Sequence, residues 1–413
     1  MSKKLQIGLI TSSILIIIFS VIGGVGVHAA TGTGTGDGAY GHIQVYSEVL
    51  SHVRMDYVEE PNMPLVTNGA LHGLLESLDA NSSYLSPVEY KAFKQRKVQG
   101  KAGVGATISK RFGYATVVSL IPGGPADKAG LSNGDIVEMI DGKNTHEISL
   151  AEIKSRLIGE PGSHLDCTVI HARKVEPQKI TLTREVVSMP AAQGQMMPDN
   201  VGYVKVQALN KGKAQEIAAK VKGLEKEGAK KLVLDLRNSS EGEEEEGVAV
   251  ANLFLNHGTI GWLQGQTRPK ETYSADPQKK ITDLPLAVLV NRGTSGAAEL
   301  VAAAILENSR GDVVGDKTFG DGSVQKLIEV PDGSALILSV AKYYTPSGKI
   351  IQENGVTPNV LVAMATDDQA VLPEDEDGAA PPPDEPQKAP SKEDDQLHRA
   401  IEVLKNKAMK KAS

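Results

Sequence analysis

Gly124-Pro125-Ala126-Asp127-Lys128-Ala129-Gly130-Leu131, then Asn133-Gly134-Asp135-Ile136-Val137 and Ile140-Asp141-Gly142, is the stretch on which the fold turns. Pro125 at the head and Gly130 at the tail predict a short helix ended by glycine. Ile136 to Ile140 is an apolar strand run. Thr116 to Leu120 before it and Leu165 to His171 after it predict further strands, and Leu150 to Leu157 a second helix. From about Gly100 to Val187 the chain is therefore a compact β-rich module with Gly/Pro turns.

Outward from that module the period changes. From Tyr40 to about Lys94 it is helical: Val45, Val49, Leu50 and Val53 share one face, and Leu71, Leu74, Leu75 and Leu78 repeat the theme. Ser86-Pro87-Val88-Glu89 predicts a helix start with Ser86 as N-cap, Pro87 at the first position and Glu89 completing a capping box. After the module, strand runs (Val201 to Val206, Lys231 to Leu236, Leu286 to Val290) alternate with helical stretches (Ala214 to Lys226, Val248 to Leu255, Ala297 to Glu307). Such alternation predicts an α/β layer with crossover helices. Leu327 to Tyr344 reads as a hairpin turned at Asp332-Gly333.

The chain has 413 residues, 40% hydrophobic and 23% charged, with a net charge of -7. That balance, with 4% aromatics, argues against a nucleic-acid partner, which calls for a basic face and stacking platforms. The single Cys167 excludes an intramolecular disulfide and a thiolate zinc cluster; in its strand setting it reads as a buried, inert thiol. No H-E-x-x-H is present, and no metal or cofactor is expected. Lys3 and Lys4 precede an almost uncharged run from Leu5 to Val27, and Val27-His28-Ala29 offers a small-residue cleavage pattern. The expected location is periplasmic or otherwise extracytoplasmic. The length of the run favours a membrane anchor over a quickly removed signal.

The expected organisation is a signal or anchor at 1–30, a Gly/Thr spacer at 31–39, a helical region at 40–98 and the β-rich module at 99–188. An α/β core at 189–365, an acidic, proline-rich linker at 366–394 and a C-terminal amphipathic helix at 395–413 follow. Leu397, Ala400, Ile401 and Leu404 form the stripe of that helix, for docking on the body of the protein or on an anionic surface.

The Gly124 to Gly142 motif set resembles a PDZ domain. The resemblance implies a peptide groove in which Gly103, Val104, Gly105, Ala106 and Thr107 hold a terminal carboxylate on backbone N–H groups beside an open sheet edge. The whole order, from roughly Tyr40 to Val362, resembles the carboxyl-terminal processing peptidases, or tail-specific proteases. The quoted likenesses are Leu78-Asp79 with Ser83-Tyr84-Leu85-Ser86-Pro87, Leu234-Asp235-Leu236-Arg237-Asn238, Thr272-Tyr273-Ser274-Ala275, Leu284-Pro285-Leu286 and Tyr343-Tyr344-Thr345-Pro346-Ser347-Gly348. The implied fold is mixed α/β: a helical N-terminal region, the PDZ module, then a crotonase-like core. The implied partners are unstructured protein C-termini or peptides, with an active relative or a second copy of the chain as a further partner.

The family uses a Ser–Lys dyad, in which a buried lysine of lowered pKa activates the serine. Here the serine pattern reads Gly293-Thr294-Ser295-Gly296-Ala297-Ala298-Glu299, which puts Gly296 at the nucleophile position. The lysine pattern reads Phe319-Gly320-Asp321-Gly322-Ser323-Val324-Gln325: Asp321 stands at the base position and only the orienting Gln325 remains. The spacing of 296 and 321 equals the family's, so no gap explains the mismatch. The turn that donates an N–H to the oxyanion reads Arg237-Asn238-Ser239-Ser240-Glu241-Gly242, with Glu241 in place of a glycine.

Gly296 carries no attacking atom. A carboxylate near a developing oxyanion costs roughly 4 kcal/mol at about 4 Å and an effective dielectric near 20, about a thousandfold in rate. The expectation is a catalytically silent relative that binds peptides or C-termini as an adaptor or regulator. The alternative is an active endopeptidase acting on tails through a displaced nucleophile, Ser295, with Lys317 or Lys326 as base. Ser295 otherwise reads as the cap of the following helix, and Glu243 to Glu246 as a solvated helix start.

Overall fold

The computed structural model describes residues 37–99, 101–111, 113–171, 176–362 and 394–412. The expected signal or anchor lies outside these residues, as do almost all of the acidic linker and most of the Gly/Thr spacer. Among the described residues no helix is long and apolar enough to cross a membrane.

The chain divides into two compact units, up to Asn68 and from Gly69 onward. In the first, a helix already begins at Asp37 and runs to Asp56. Its predicted stripe stays largely in solvent, with Val45 61% and Val49 54% exposed.

In the second unit the capping box forms as the sequence predicts. Ser86 N and Oγ donate to Glu89 at 2.8 and 2.7 Å, and helix Pro87–Gln99 follows. Burial opposes ionisation of Glu89, but hydrogen bonds from His72 and Ser86 hold its pKa down at about 2. The region is not wholly helical. Ser83–Leu85 is a strand, paired antiparallel with Ala335–Ile337 far along the chain. It joins the antiparallel sheet that contains Thr259–Gln264, Glu271–Ser274 and the hairpin Ser323–Glu329/Ala335–Tyr344. Gly333, at φ +88°, turns that hairpin where Asp332-Gly333 predicts it.

The PDZ module is a sheet in the order Ala106–Arg111, Tyr114–Leu120, Ile136–Ile140, His164–Ile170, Gln178–Thr183. Helices Pro125–Lys128 and Leu150–Leu157 complete it. Its core includes Ile108, Val117, Ile140, Ile153 and Leu165. Cys167 lies there too, and burial pushes its thiol up to about 12.

The α/β core is a six-stranded sheet ordered Val360–Leu361, Gly311–Gly315, Leu286–Val290, Lys231–Asp235, Val201–Lys205, Gln193–Met197. Every pair is parallel except the last. Both faces are covered, so the central strand Leu286–Val290 is buried at every residue, as parallel sheets require. Helices Lys213–Lys226, Glu244–Asn252 and Ala297–Glu307 contribute to the cluster on one face, with Leu234, Val288 and Val313. The C-terminal helix Asp395–Ala412 lays Leu397, Ala400, Ile401 and Leu404 on the other, against Tyr203, Val233 and Leu289. Of the two expected surfaces for that stripe, it takes the body of the protein. Arg237 clasps the helix start, donating to Asp394 at 2.8 Å through Nη1 and Nη2 and to Asp235 at 2.6 Å.

Candidate active site

The strand Leu286–Val290 delivers the segment Asn291–Gly296 to the start of helix Ala297–Glu307. Gly296 is the N-cap, at φ +64° and ψ −125°. Ser295 is therefore not the cap the sequence predicts. Its backbone N–H donates to Ser239 O at 2.9 Å and its side chain is buried, while the positive φ needed for the turn falls on the glycine after it. A Cβ built on Gly296 meets nothing within 4 Å.

Glu299, fully buried one turn into that helix, joins the two altered motifs. Its Oε2 accepts from Gly296 N at 3.0 Å and Asp321 N at 2.9 Å; its Oε1 accepts from Gly320 N at 2.8 Å and from the Thr318 hydroxyl. Burial raises its carboxyl to about 7 against those donors. Positions 296 and 321, 25 residues apart in sequence, thus stand within reach of one carboxylate oxygen.

They line one cavity of about 220 Å³ together with Gly242, Ser240 and Gln325. Asp321 Oδ1 accepts from Asn81 Nδ2 at 3.1 Å, and Asn81 also donates to Ser323 Oγ. Gln325 is exposed and donates to Ser323 Oγ at 2.8 Å. A larger cavity of about 660 Å³ adjoins, lined by Arg111, Arg292, Lys317 and Phe319, with Asn81 and Asp321 common to both. Lys317 and Lys326 are exposed. Among the described residues no lysine amine is hydrogen-bonded to a serine hydroxyl.

The turn 237–242 is held from two sides. Asn291 accepts from Asn238 N at 3.0 Å and donates to Asn238 Oδ1 at 2.7 Å; Asn133 of the PDZ module donates to the same Oδ1 at 2.8 Å. Glu241–Gly242 pairs parallel with Ala208–Leu209. A Cβ at Gly242 would meet Leu209 O at 2.7 Å, which requires glycine there. Burial raises the Glu241 carboxyl above its ordinary range, against the hydrogen bond from Thr107 and the charge of Lys154.

The acidic run after the turn is only partly solvated. Glu243 and Glu245 are exposed, but Glu246 is buried and accepts from Ala214 N at 2.6 Å, near the start of helix Lys213–Lys226, where a carboxylate is favoured. Glu244 lines the smaller cavity and bonds the Tyr343 hydroxyl; burial raises its carboxyl too.

In the predicted carboxylate loop, Gly103 N donates to Glu185 O at 2.9 Å and the Val104 side chain turns into the module core. Gly105, at φ +71°, brings the loop against Gly124 Cα, which a Cβ would meet at 3.4 Å. Ala106 opens the edge strand, and the Thr107 hydroxyl already holds Glu241 and Ser240. Sequence reasoning missed Asn81, Lys154, Glu244 and Tyr343 as cavity residues. Two of them left a signal: Tyr343 stands in the quoted Tyr343 to Gly348 likeness, and Asn81 falls between the quoted Leu78-Asp79 and Ser83 to Pro87.

Fold and site together define a peptidase-type α/β core that carries a PDZ module at the rim of its cavity. Residues 200–362 match Peptidase family S41 and residues 116–170 match the PDZ domain. The chain is 30% identical over 341 residues to the carboxy-terminal processing protease CtpA of Bacillus subtilis (strain 168), covering 82% of this chain and 72% of the relative. It is 34% identical over 299 residues to the carboxyl-terminal-processing protease of Picosynechococcus sp., covering 71% and 72%. Among solved structures, the photosystem II D1 C-terminal processing protease superposes with a TM-score of 0.64 at 28% identity, over 78% of this chain and 92% of that one. The chain belongs to the carboxyl-terminal processing peptidases of family S41.

Proposed function

We propose that this member of the family binds polypeptide C-termini through its PDZ groove without cleaving them, as an adaptor or as a regulator of an active relative. One observation carries the reading: the Glu299 carboxylate receives Gly296 N and Asp321 N on the same oxygen. Dyad chemistry requires a hydroxyl and an amine at two adjoining positions. The two positions adjoin here, and they carry a hydrogen atom and a carboxylate. Glu241 adds a second negative group on the turn that would receive the oxyanion.

The lysine pair and the apolar run from Leu5 to Val27 support export, with the chain tethered to the membrane from its N-terminal side. The PDZ match supports peptide C-termini as the ligand class.

The test is a fluorophosphonate labelling assay on purified protein, with titration by fluorescein-labelled peptides as free acids and as C-terminal amides. The reading expects no labelling, and binding that is lost on amidation. Labelling at Ser295, abolished by Ser295→Ala, would overturn it.

A further inference from the structure

The edge strand Ala106–Arg111 pairs, among the described residues, with Tyr114–Leu120 alone, so its outer side is open to strand addition. Thr107 faces Ser119 across that pair, and both hydroxyls reach Ser240: Ser240 Oγ donates to Thr107 Oγ1 at 2.8 Å and bonds Ser119 Oγ. The Thr107 hydroxyl in turn donates to Glu241 Oε1 at 3.2 Å. Lys154, on helix Leu150–Leu157, lines the same cavity as Ser240 and Gly242, the residues flanking Glu241. It makes no ion pair among the described residues. The Glu241 carboxylate thus stands against the edge strand, held by the Thr107 hydroxyl and within reach of the Lys154 charge.

We propose that Thr107 and Lys154 form a subsite for an acidic side chain of a bound polypeptide, and that Glu241 fills this subsite in cis. The inference rests on the peptide-binding reading above and deepens it. A polypeptide added beside Ala106–Arg111 presents alternate side chains to each face of the sheet. One of them meets the Thr107 hydroxyl only after Glu241 has withdrawn. The turn 238–242 and the tail therefore compete, and the tail that competes best carries its own carboxylate at that place. Glu241, which stands where the family has a glycine, then has a role in ligand selection.

The test uses the full chain and fluorescein-labelled octapeptides of alanine and serine with a free C-terminus. A single glutamate is walked through the last five positions, each peptide having a glutamine counterpart. Glu241→Gln should bind one glutamate peptide about fivefold or more tighter than wild type does, and with a similar preference over its glutamine counterpart, as expected for one charge-assisted contact. Adding Lys154→Met should remove that preference; Thr107→Val serves where the Lys154 variant does not fold. If Glu241→Gln binds peptides no tighter than wild type, or without distinguishing glutamate from glutamine, the subsite is wrong and the peptide-binding reading stands. If no peptide binds any variant, both fail.

Discussion

Replacing Gly296 by serine puts a hydroxyl back at the family's nucleophile position, and the structure fixes what that costs. The backbone sits at φ +64° and ψ −125°, where an L side chain is strained by about 1–3 kcal/mol. No atom lies within 4 Å of the new Cβ, so no steric penalty adds to this. Gly296→Ala carries the same backbone strain without the hydroxyl. Both variants should therefore lose about 1–3 kcal/mol and agree with each other within about 0.5 kcal/mol. Urea unfolding followed through the single tryptophan, Trp262, measures this. With a slope near 3 kcal/mol/M, the midpoint should fall by roughly 0.3–1 M. Losses above about 5 kcal/mol would show that the space is closed; no loss in either variant would show that the backbone is not in that region. Gly296→Ser alone should not react with a fluorophosphonate, because position 321 offers a carboxylate and no amine. Labelling should require Asp321→Lys as well.

Other consequences concern the groups that frame the site. Glu299 is raised from the usual 4.5 to about 7, so the folded state holds its proton more tightly than the unfolded chain does. The stability this lends is full below 4.5 and lost as pH rises through about 7, at most roughly 3 kcal/mol; wild type measured against Glu299→Gln should lose ground between pH 5 and 8. Glu89, lowered to about 2, has the opposite sign: its contribution is present above 4.5 and lost as pH falls toward 2. Glu89→Gln should cost about 1–2 kcal/mol at pH 7 and progressively less on acidification from pH 5 to 3, by chemical denaturation. Leu404→Ala, at a fully buried position under the sheet, should cost about 2–4 kcal/mol in the same assay.

Local signals carried much of the fold. The capping box at Ser86–Glu89 and the helices Leu150–Leu157 and Ala297–Glu307 depend on neighbours within a few residues, and the sequence places them where the structure does. The strand Ser83–Leu85 escaped because its partner, Ala335–Ile337, lies in a distant part of the chain and three residues carry no period. Serine is a good cap by type, but the turn before helix Ala297–Glu307 demands a positive φ, which Gly296 supplies in place of Ser295. Family likeness gave the register of Gly296 and Asp321. It did not reveal that Glu299, used only to mark that register, is the group both backbones bond. Lys154 and Glu244 were invisible because they reach the cavity from a different module and from a helix start that looked solvent-facing.

On the proposed reading the PDZ groove binds polypeptide C-termini, and the cavity lined by Gly296 and Asp321 cuts none of them. Intact-mass spectrometry of an unstructured polypeptide tail, incubated with the purified full chain, tests it most directly. The tail should keep its full mass at every time point. A C-terminally shortened product that disappears with Ser295→Ala would contradict it.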